Sequence, residues 1–457
     1  MTQFPAITLA DRRKDHLDTL FAYLRIPSVS TDPSRAAQTR EAAEFTRAEL
    51  EKIGLTTQIH EAAGHPVVVA SPAEPVADKP HILIYGHYDV QPEDPVDLWT
   101  TPPFEPTIVN GEIRARGATD NKGQILAHIL AAQELVRHNG ELPVNLHFLV
   151  EGEEEIGSPN LPPFIEEYAK QLAVDAVIIS DGSMLGPDQP SLTYGLRGMC
   201  LLEISVRSAS RDLHSGQYGG GAPNAIHGLA TLIDSLHDVD GKVNVAGFYD
   251  DVLPLTAEER ERIAAAGFDE HAFTTEAGLT ATPGEPGYSL AERTWARPTL
   301  DINGITGGFQ GEGSKTVIPA VASAKISCRL VPGQQPDRIK DAIERHLDAH
   351  VPAGYAVSVH YHGGNEAVLT PLGTWVSDAA ERAISHVFGT APAYIRAGGS
   401  IPITTAFQQF FSENVVLLDF GLPDDRAHAP NEKFRVVDFE RAVETSVRFL
   451  QELGKRD

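Results

Sequence analysis

Residues 120–155 read DNKGQILAHILAAQELVRHNGELPVNLHFLVEGEEE, and this stretch indicates the class of fold. The part GQILAHILAAQELVRH has a helical pattern of apolar residues. The apolar run Val144–Val150 follows it and is short enough for a buried parallel strand. A helix that leads into a buried strand is typical of a sheet built from βα units. The strand ends in a run of carboxylates.

The same alternation extends outward from this stretch in both directions. A helical pattern across Gln38–Ile53 precedes two short apolar runs, Pro66–Ala70 and Ile82–Tyr85. Further apolar runs of strand length lie at Val174–Ser180 and Asn414–Phe420. We therefore predict an α/β domain with a central, mostly parallel sheet.

Between residues 197 and 370 the pattern changes to alternating apolar and polar residues, as in strands with one wet face. The order of these strands and of two helical patterns suits a small split βαβ layer. The segments are strands at Met199–Ser208, Ala322–Leu330 and Tyr355–Tyr361, and helices at Asn224–Leu236 and Asp337–His350.

These patterns predict one domain inserted into another. The α/β domain would comprise residues 1–196 and 371–457, and the inserted domain would comprise residues 197–370. The stretch 242–297 is rich in Gly and Pro, and its one clear helical piece is Ala257–Ala266. We interpret this stretch as an elaboration of the inserted domain.

Composition excludes several classes of partner. With 37 basic and 63 acidic residues, the chain of 457 residues has a net charge of −26, which repels the phosphate backbone of nucleic acids. No run of about 18 uncharged apolar residues is present, so we expect no membrane insertion. The start of the sequence lacks a basic segment followed by an apolar run, so we expect a cytoplasmic protein.

The two cysteines, Cys200 and Cys328, are far apart in sequence and form no CxxC or Cys/His cluster. We expect neither a disulfide framework nor a thiolate metal site. Both cysteines are interpreted as core residues.

Histidine and carboxylate side chains follow several of the predicted strands. They are His87, Asp89, the run Glu151–Glu155, Asp181 and His428. Ligands of open α/β sheets bind outside the carboxyl ends of the strands, so these side chains are expected to converge in one crevice.

Each of these residues also has an ordinary structural explanation. A histidine after a strand is often structural, Asp120 could be a turn or helix-cap aspartate, and an acidic run is usually a solvated surface. In GHYDV, however, Asp89 could accept the N–H of His87 and fix the imidazole of a metal ligand. A cation would also relieve the repulsion within the acidic run. Nitrogen and oxygen ligands without sulfur suit zinc, manganese or cobalt.

A set of motifs carries a family resemblance across nearly the whole chain. They are GHYDVQP, RGATDNKG, EGEEEIGS, ISDGS, DLHSGQYGG, KTVIP, RLVP, GGSIP and AHAPNEKF. In this order they resemble the M20 family of metallopeptidases, most closely its cytosolic non-specific dipeptidase and carnosinase branch. The resemblance implies a catalytic α/β domain with an inserted ferredoxin-like lid, which usually forms a homodimer.

The resemblance also implies two divalent metal ions per chain, Zn²⁺ first, with Mn²⁺ or Co²⁺ as alternatives. Asp120 would bridge the two ions. His87 and Asp181 would bind one of them, and Glu155 and His428 would bind the other.

The resemblance assigns the general base within the acidic run. In the register of EGEEEIGS, Glu154 is the base and Glu153 is an additional carboxylate, where many relatives carry an apolar or small residue. Asp89, which would orient His87, is placed in the same catalytic group as Glu154. Ala115 is a second departure, since relatives often have Gly there. The resemblance further suggests a cis peptide bond between Asp120 and Asn121.

Three lid and loop residues would bind the substrate. His214 would stabilise the tetrahedral oxyanion, often from the partner subunit, although a turn histidine is the plain alternative. Arg329 would bind a free carboxylate, with donors from Ser400 and the GGSIP backbone, and a solvent-exposed arginine is its plain alternative.

The function expected is hydrolysis of the amide bond of dipeptides or short peptides with a free C-terminal carboxylate. An N-acyl amino acid deacylase would need the same metals, base and carboxylate grip, so it remains an alternative. A non-catalytic binding protein on this scaffold is a third possibility, because a fold alone does not guarantee activity.

Overall fold

The structure is a computed structural model that describes Ile7 and residues 9–455. Residues 1–6, 8 and 456–457 lie outside the described residues. They include both ends of the predicted α/β domain and part of the N-terminal segment that lacks a basic stretch followed by an apolar run. None of the helices described combines the length and the apolar character that a bilayer crossing requires.

The strands of the described residues are numbered in chain order. They are β1 (Thr56–His60), β2 (Val67–Ser71), β3 (His81–His87), β4 (Thr107–Val109), β5 (Glu112–Arg114), β6 (Asn145–Glu151), β7 (Ala176–Ile179), β8 (Ser191–Leu196), β9 (Gly198–Arg207), β10 (Leu213–His214), β11 (Thr299–Gly307), β12 (Val317–Ile318), β13 (Val321–Leu330), β14 (Ala356–Asn365), β15 (Val368–Leu369), β16 (Ala393–Ala397), β17 (Val415–Leu417) and β18 (Lys433–Arg435).

The helices are numbered in the same way. They are α1 (Arg13–Leu24), α2 (Ala36–Glu51), α3 (Lys122–Asn139), α4 (Leu161–Tyr168), α5 (Ser215–Tyr218), α6 (Ala225–Ser235), α7 (Ala257–Ala265), α8 (Glu270–Glu276), α9 (Leu290–Ala296), α10 (Pro336–His350), α11 (Trp375–Phe388), α12 (Thr404–Phe410) and α13 (Val436–Leu453).

The chain forms two compact units. The first consists of the described part of Met1–Tyr194 together with Thr370–Ile395 and Ile401–Asp457, and the second consists of Gly195–Leu369 and Arg396–Ser400. The short segment Arg396–Ser400 lies in the second unit, whereas our prediction placed it in the α/β domain. It belongs to the second unit because its backbone is hydrogen-bonded to Arg197 of that unit.

The main sheet of the first unit has the strand order β1-β2-β6-β3-β7-β17-β8. At its centre β3 pairs in parallel with β6 and β7, and β17 pairs in parallel with β7. The strands at its margins are antiparallel. The α/β fold with a mostly parallel central sheet is therefore confirmed, and the four apolar runs that precede polar side chains are neighbours.

Continuous burial explains why the central strands form where they do. Every residue of β6 and β7 is buried, as is every residue of β3 after His81. Helix α3 has buried residues along most of its length and packs against β3 and α13. Helix α13 also packs against α11, so these helices close the core of the sheet.

The second unit contains an antiparallel sheet in the order β11-β13-β9-β14. Its chain order β9-α6-β11-β13-α10-β14 is that of a ferredoxin-like fold, as expected from the resemblance. Burial alternates along β9 and β13, and helices α6 and α10 pack on the sheet. Because β9 and β13 are neighbours, Cys200 lies directly opposite Cys328, and both thiols are buried and free.

The stretch 242–297 contains two helices, α8 and α9, that the sequence pattern does not show. Each has only seven residues, so neither displays a full apolar periodicity. Local capping defines their starts instead. The Asp269 side chain accepts from Ala272 N, and Ser289 forms a capping box with Glu292.

Candidate functional site

The carboxyl ends of the central strands bring together the first group of predicted ligands. His87 is the last residue of β3, lies opposite Glu151 of β6, and is completely buried. Its Nε2 lies 3.2 Å from Oδ1 of Asp120 and 3.3 Å from Oδ1 of Asp181. These three side chains form one group that could hold a metal ion.

A second group shares one member with the first. Nε2 of His428 lies 2.9 Å from Oδ2 of Asp120 and 3.1 Å from Oε2 of Glu155. Asp120 therefore presents one carboxylate oxygen to each group. It lies in the turn that precedes α3, and its peptide bond to Asn121 is cis, as the resemblance suggests.

The three carboxylates of the run 153–155 point to different places. Glu153 accepts hydrogen bonds from His65 N at 3.2 Å and from Asn160 Nδ2 at 2.9 Å, outside the ligand groups. Glu154 Oε2, by contrast, lies 4.0 Å from His87 Nε2. Glu155 belongs to the second ligand group. The fold thus places Glu154 and Glu155 at the cluster and turns Glu153 away from it.

Asp89 connects the buried histidine to the acidic turn. Its Oδ1 lies 3.3 Å from His87 Nδ1, and its backbone carbonyl lies 3.1 Å from the same nitrogen. Its carboxylate also accepts from the backbone N of Glu154 at 3.3 Å and of Glu155 at 3.1 Å. These acceptors favour a proton on Nδ1 of His87, which leaves the lone pair of Nε2 available to a metal ion.

Three supporting residues received no role from sequence reasoning. Gln91 donates from Nε2 to Glu155 Oε2 at 2.8 Å. Asn121 donates from Nδ2 to Asp181 Oδ1 at 2.9 Å. Buried Glu432 accepts from the backbone N of Asp120 at 3.1 Å. Their membership in the motifs GHYDVQP, RGATDNKG and AHAPNEKF was the only signal that could have found them.

The cluster carries an excess of negative charge. Burial raises the pKa of Glu154 well above its ordinary value, and burial together with the charge of Asp120 raises the pKa of Glu155 to about 7. Hydrogen bonds to Asp120 and Glu155 raise the pKa of His428 to about 11. Although burial opposes ionisation, hydrogen bonds from His428 and His87 lower the pKa of Asp120.

This donor set fits a pair of divalent cations. Nitrogen and carboxylate oxygen atoms lie within 4.8 Å of one another in each group, and no sulfur is present. Buried carboxylates that crowd together are stabilised when cations offset their charge. A shared carboxylate also suits two ions held close together.

His214 of the second unit is held by its own loop. It ends β10, is exposed, and accepts through Nδ1 from Gly216 N at 2.9 Å. This bond places the proton of the neutral ring on Nε2, which becomes the outward donor. A Cβ on Gly216 would lie 2.8 Å from Cε1 of His214, so any larger residue there would force the ring to move.

Arg329 lies on β13 of the same unit and is partly buried. Its Nη1 donates to Ser400 Oγ at 3.0 Å. It forms no ion pair with a carboxylate of the described residues, and burial lowers its pKa. The guanidinium thus retains donors for an external anion.

Comparison with known proteins identifies relatives of this chain. The profile of peptidase family M20/M25/M40 matches residues 83–452. The Cys-Gly metallodipeptidase dug1 of Schizosaccharomyces pombe is 33% identical over 97% of this chain and 97% of its own length. The human Beta-Ala-His dipeptidase is 35% identical over 82% of this chain and 75% of its own.

A solved structure extends the similarity to the whole fold. The M20 family metallo-carboxypeptidase Sso-CP2 from Sulfolobus solfataricus superposes with a TM-score of 0.86 at 35% identity, covering 96% of this chain and 99% of its own. The family match spans most of the chain, and the dipeptidases match over four fifths of it or more. The chain therefore belongs to peptidase family M20/M25/M40.

Proposed function

We propose that this protein is a two-metal dipeptidase that hydrolyses the amide bond of dipeptides or short peptides with a free C-terminal carboxylate. The observation that carries the proposal is the sharing of Asp120 between two groups of ligating side chains. Membership in the family, and the dipeptidase activity in the names of its relatives, support the reaction class.

Five side chains would hold the ions. His87 and Asp181 would bind one ion, Glu155 and His428 the other, and Asp120 both. Zn²⁺ is the first candidate, with Mn²⁺ and Co²⁺ as alternatives, because all three accept nitrogen and oxygen ligands. Such a pair of cations lowers the pKa of a water molecule and polarises the scissile carbonyl.

Glu154 is the proposed general base. Its carboxylate lies beside His87 without taking part in either ligand group, so it remains free to accept a proton from the attacking water. The same carboxyl group then returns that proton to the leaving amine. Asp89 is the positioning partner, since it contacts both the His87 ring and the backbone of Glu154.

Binding of the substrate is assigned to the second unit. His214 would donate from Nε2 to the oxyanion, and Arg329 with the Ser400 loop would bind the terminal carboxylate. We also propose a homodimer formed through this unit, which could supply His214 from the partner subunit. The cytoplasmic location stays a prediction.

Substrate profiling of purified protein tests the proposal. We expect turnover of unblocked dipeptides such as Cys-Gly and β-Ala-His, and no comparable turnover of N-acetyl amino acids. Selective hydrolysis of the acetylated compounds would instead establish the deacylase. Absence of hydrolysis of both sets, in protein that retains metal, would favour a non-catalytic binding protein.

A further inference from the structure

Arg197, between β8 and β9, is bonded to three consecutive residues of the GGSIP motif. Its backbone N donates to Gly399 O at 3.1 Å, and its Nε donates to Gly398 O at 3.0 Å. Its carbonyl oxygen accepts from Ser400 Oγ at 2.5 Å. One residue therefore fixes the path of the whole 398–400 loop.

The first glycine of this loop is shaped to the Arg197 side chain. A Cβ on Gly398 would lie 2.9 Å from Nη2 of Arg197 and 3.1 Å from Thr294 O. A methyl group there would press on the guanidinium, so the glycine lets the Arg197 side chain approach the loop closely. Gly398 and Arg197 thus form a fitted pair.

Arg197 also acts on Arg329 through Ser400. The Ser400 hydroxyl has one proton, which it donates to the carbonyl oxygen of Arg197. Its oxygen is then oriented to accept from Nη1 of Arg329. A chain of two hydrogen bonds therefore sets the position of the arginine assigned to the substrate carboxylate.

The charges of the two arginines are poorly compensated. The Arg197 guanidinium donates to backbone carbonyls of Gly398 and Arg297, and it forms no ion pair among the described residues. Burial, followed by the charge of Arg329, lowers the pKa of Arg197 to about 10. The charge of Asp301, an exposed residue, opposes this lowering and raises the pKa of both guanidinium groups. In a chain of net charge −26, this is a local positive region that favours an anion.

We propose that Arg197 is a positioning and specificity-determining residue for peptides with a free C-terminal carboxylate. Its backbone carbonyl orients Ser400 and thereby Arg329, and its side chain holds the 398–400 loop through Gly398 O. Its charge adds to that of Arg329 in favouring a carboxylate over a neutral amide. The inference rests on the proposed dipeptidase function and deepens it, because it names a determinant of substrate choice outside the metal ligands.

Steady-state kinetics with glycylglycine and glycylglycinamide test this role. Arg197→Met keeps the backbone carbonyl but removes the charge and the bond to Gly398 O. We expect it to raise KM for glycylglycine by about tenfold, the lower end of the range for hydrogen bonds to charged groups, because the bond between Arg329 and the carboxylate is weakened. We expect kcat to change by less than about threefold and kcat/KM for the amide to stay unchanged. Arg197→Lys, which keeps the charge, should recover part of the preference for the carboxylate.

Two further variants separate this role from a general effect on folding. Gly398→Ala keeps both arginines but places a methyl group 2.9 Å from Nη2 of Arg197, so the guanidinium must shift and KM for glycylglycine should also rise. Arg338→Met removes an exposed arginine of the same unit that pairs with Asp251, and it should change neither constant. Urea unfolding of each variant checks that the fold is retained.

The outcomes distinguish the inference from the function on which it rests. A folded Arg197→Met protein with unchanged KM for glycylglycine, or with equal losses on both substrates, would overturn the inference and leave the dipeptidase function intact. A wild-type protein without activity on any unblocked dipeptide would overturn the proposed function instead.

Discussion

At the scale of single residues, Glu153 and Glu154 provide a matched pair. Both are neighbouring carboxylates, yet Glu153 is bonded to His65 and Asn160, whereas Glu154 lies 4.0 Å from His87. We expect Glu154→Gln to keep its metal and to lose at least about a thousandfold in kcat, as for a general base that also returns the proton.

The control for this prediction is Glu153→Gln. It should reduce the free energy of unfolding, because two hydrogen bonds to the carboxylate are weakened, while kcat stays close to that of the wild type. Elemental analysis and kinetics of the two variants provide the measurement. The base has been misassigned if Glu154→Gln is active and Glu153→Gln is not.

Gly216 allows a test of His214 without removal of the imidazole. The methyl group of Gly216→Ala would press on the His214 ring, so the outward Nε2 donor should move and kcat should fall by about tenfold or more. Metal content should not change.

Gly221→Ala serves as the control in the same loop. A Cβ there meets only Tyr218 O at 3.6 Å, which is ordinary contact, so we expect normal kcat. Similar kcat values for the two alanine variants would show that the placement of His214 does not matter to the reaction.

At the scale of elements, strands with uninterrupted burial could be predicted and others could not. The runs at β3, β6 and β7 are apolar throughout, because both faces of a central parallel strand are covered. Strand β1, with the sequence TTQIH and no fully buried residue, carries no such signal. It is placed by its pairing with β2, a contact between segments that sequence periodicity does not show.

The residues of the candidate site could likewise be predicted only where a local sequence pattern places them. The candidate ligands at strand ends could be predicted because the strands that precede them have strong patterns. By contrast, the attachment of the 398–400 loop to Arg197 depends on contacts across about 200 residues of chain, which no local pattern encodes. The roles of Gln91, Asn121 and Glu432 likewise depend on hydrogen bonds that only the folded chain reveals.

Helix α3 provides a prediction about acid stability. His128 is buried between Ser180 Oγ at 2.7 Å and Ser446 Oγ at 2.9 Å, and burial lowers its pKa to about 3. The unfolded chain, with a histidine pKa of about 6.5, then binds more protons than the folded chain between these two values. The contribution of neutral His128 to the free energy of unfolding is fully present above the histidine pKa of the unfolded chain. It decreases as the pH falls toward 3.

We therefore expect His128→Gln to flatten the dependence of the free energy of unfolding on pH between 7 and 5. The decrease per pH unit should become smaller by up to about 1.4 kcal/mol, the maximum for one proton. Urea denaturation at several pH values measures the slope, which is compared within each protein because the substitution also changes packing. An unchanged slope would mean that His128 is not the titrating group.

At the scale of the whole molecule, the acidic cluster should couple metal binding to stability. Four partly buried carboxylates, those of Asp120, Glu154, Glu155 and Asp181, lie beside one buried imidazole, His87, and one exposed imidazole, His428. Because ions that bind only the folded state stabilise it, removal of metal with a chelator should lower Tm and abolish turnover.

Elemental analysis before chelation should give about two equivalents of metal per chain, the number expected for a two-metal site. Restoration of Tm and activity by added Zn²⁺, Mn²⁺ or Co²⁺ would identify the ions that the site accepts. Protein purified without any bound metal, but fully active and unaffected by a chelator, would contradict the two-metal centre.

The pairing of β15 with β8 has an evolutionary consequence. Leu369 lies opposite Gly195, and Val368 lies opposite Leu196, so the long segment between them begins and ends at adjacent, paired residues. An insertion whose ends are neighbours can be lengthened, shortened or exchanged without stretching the host chain. The segment between these strands can therefore be replaced without changing the length of the strands that precede His87 and Asp181.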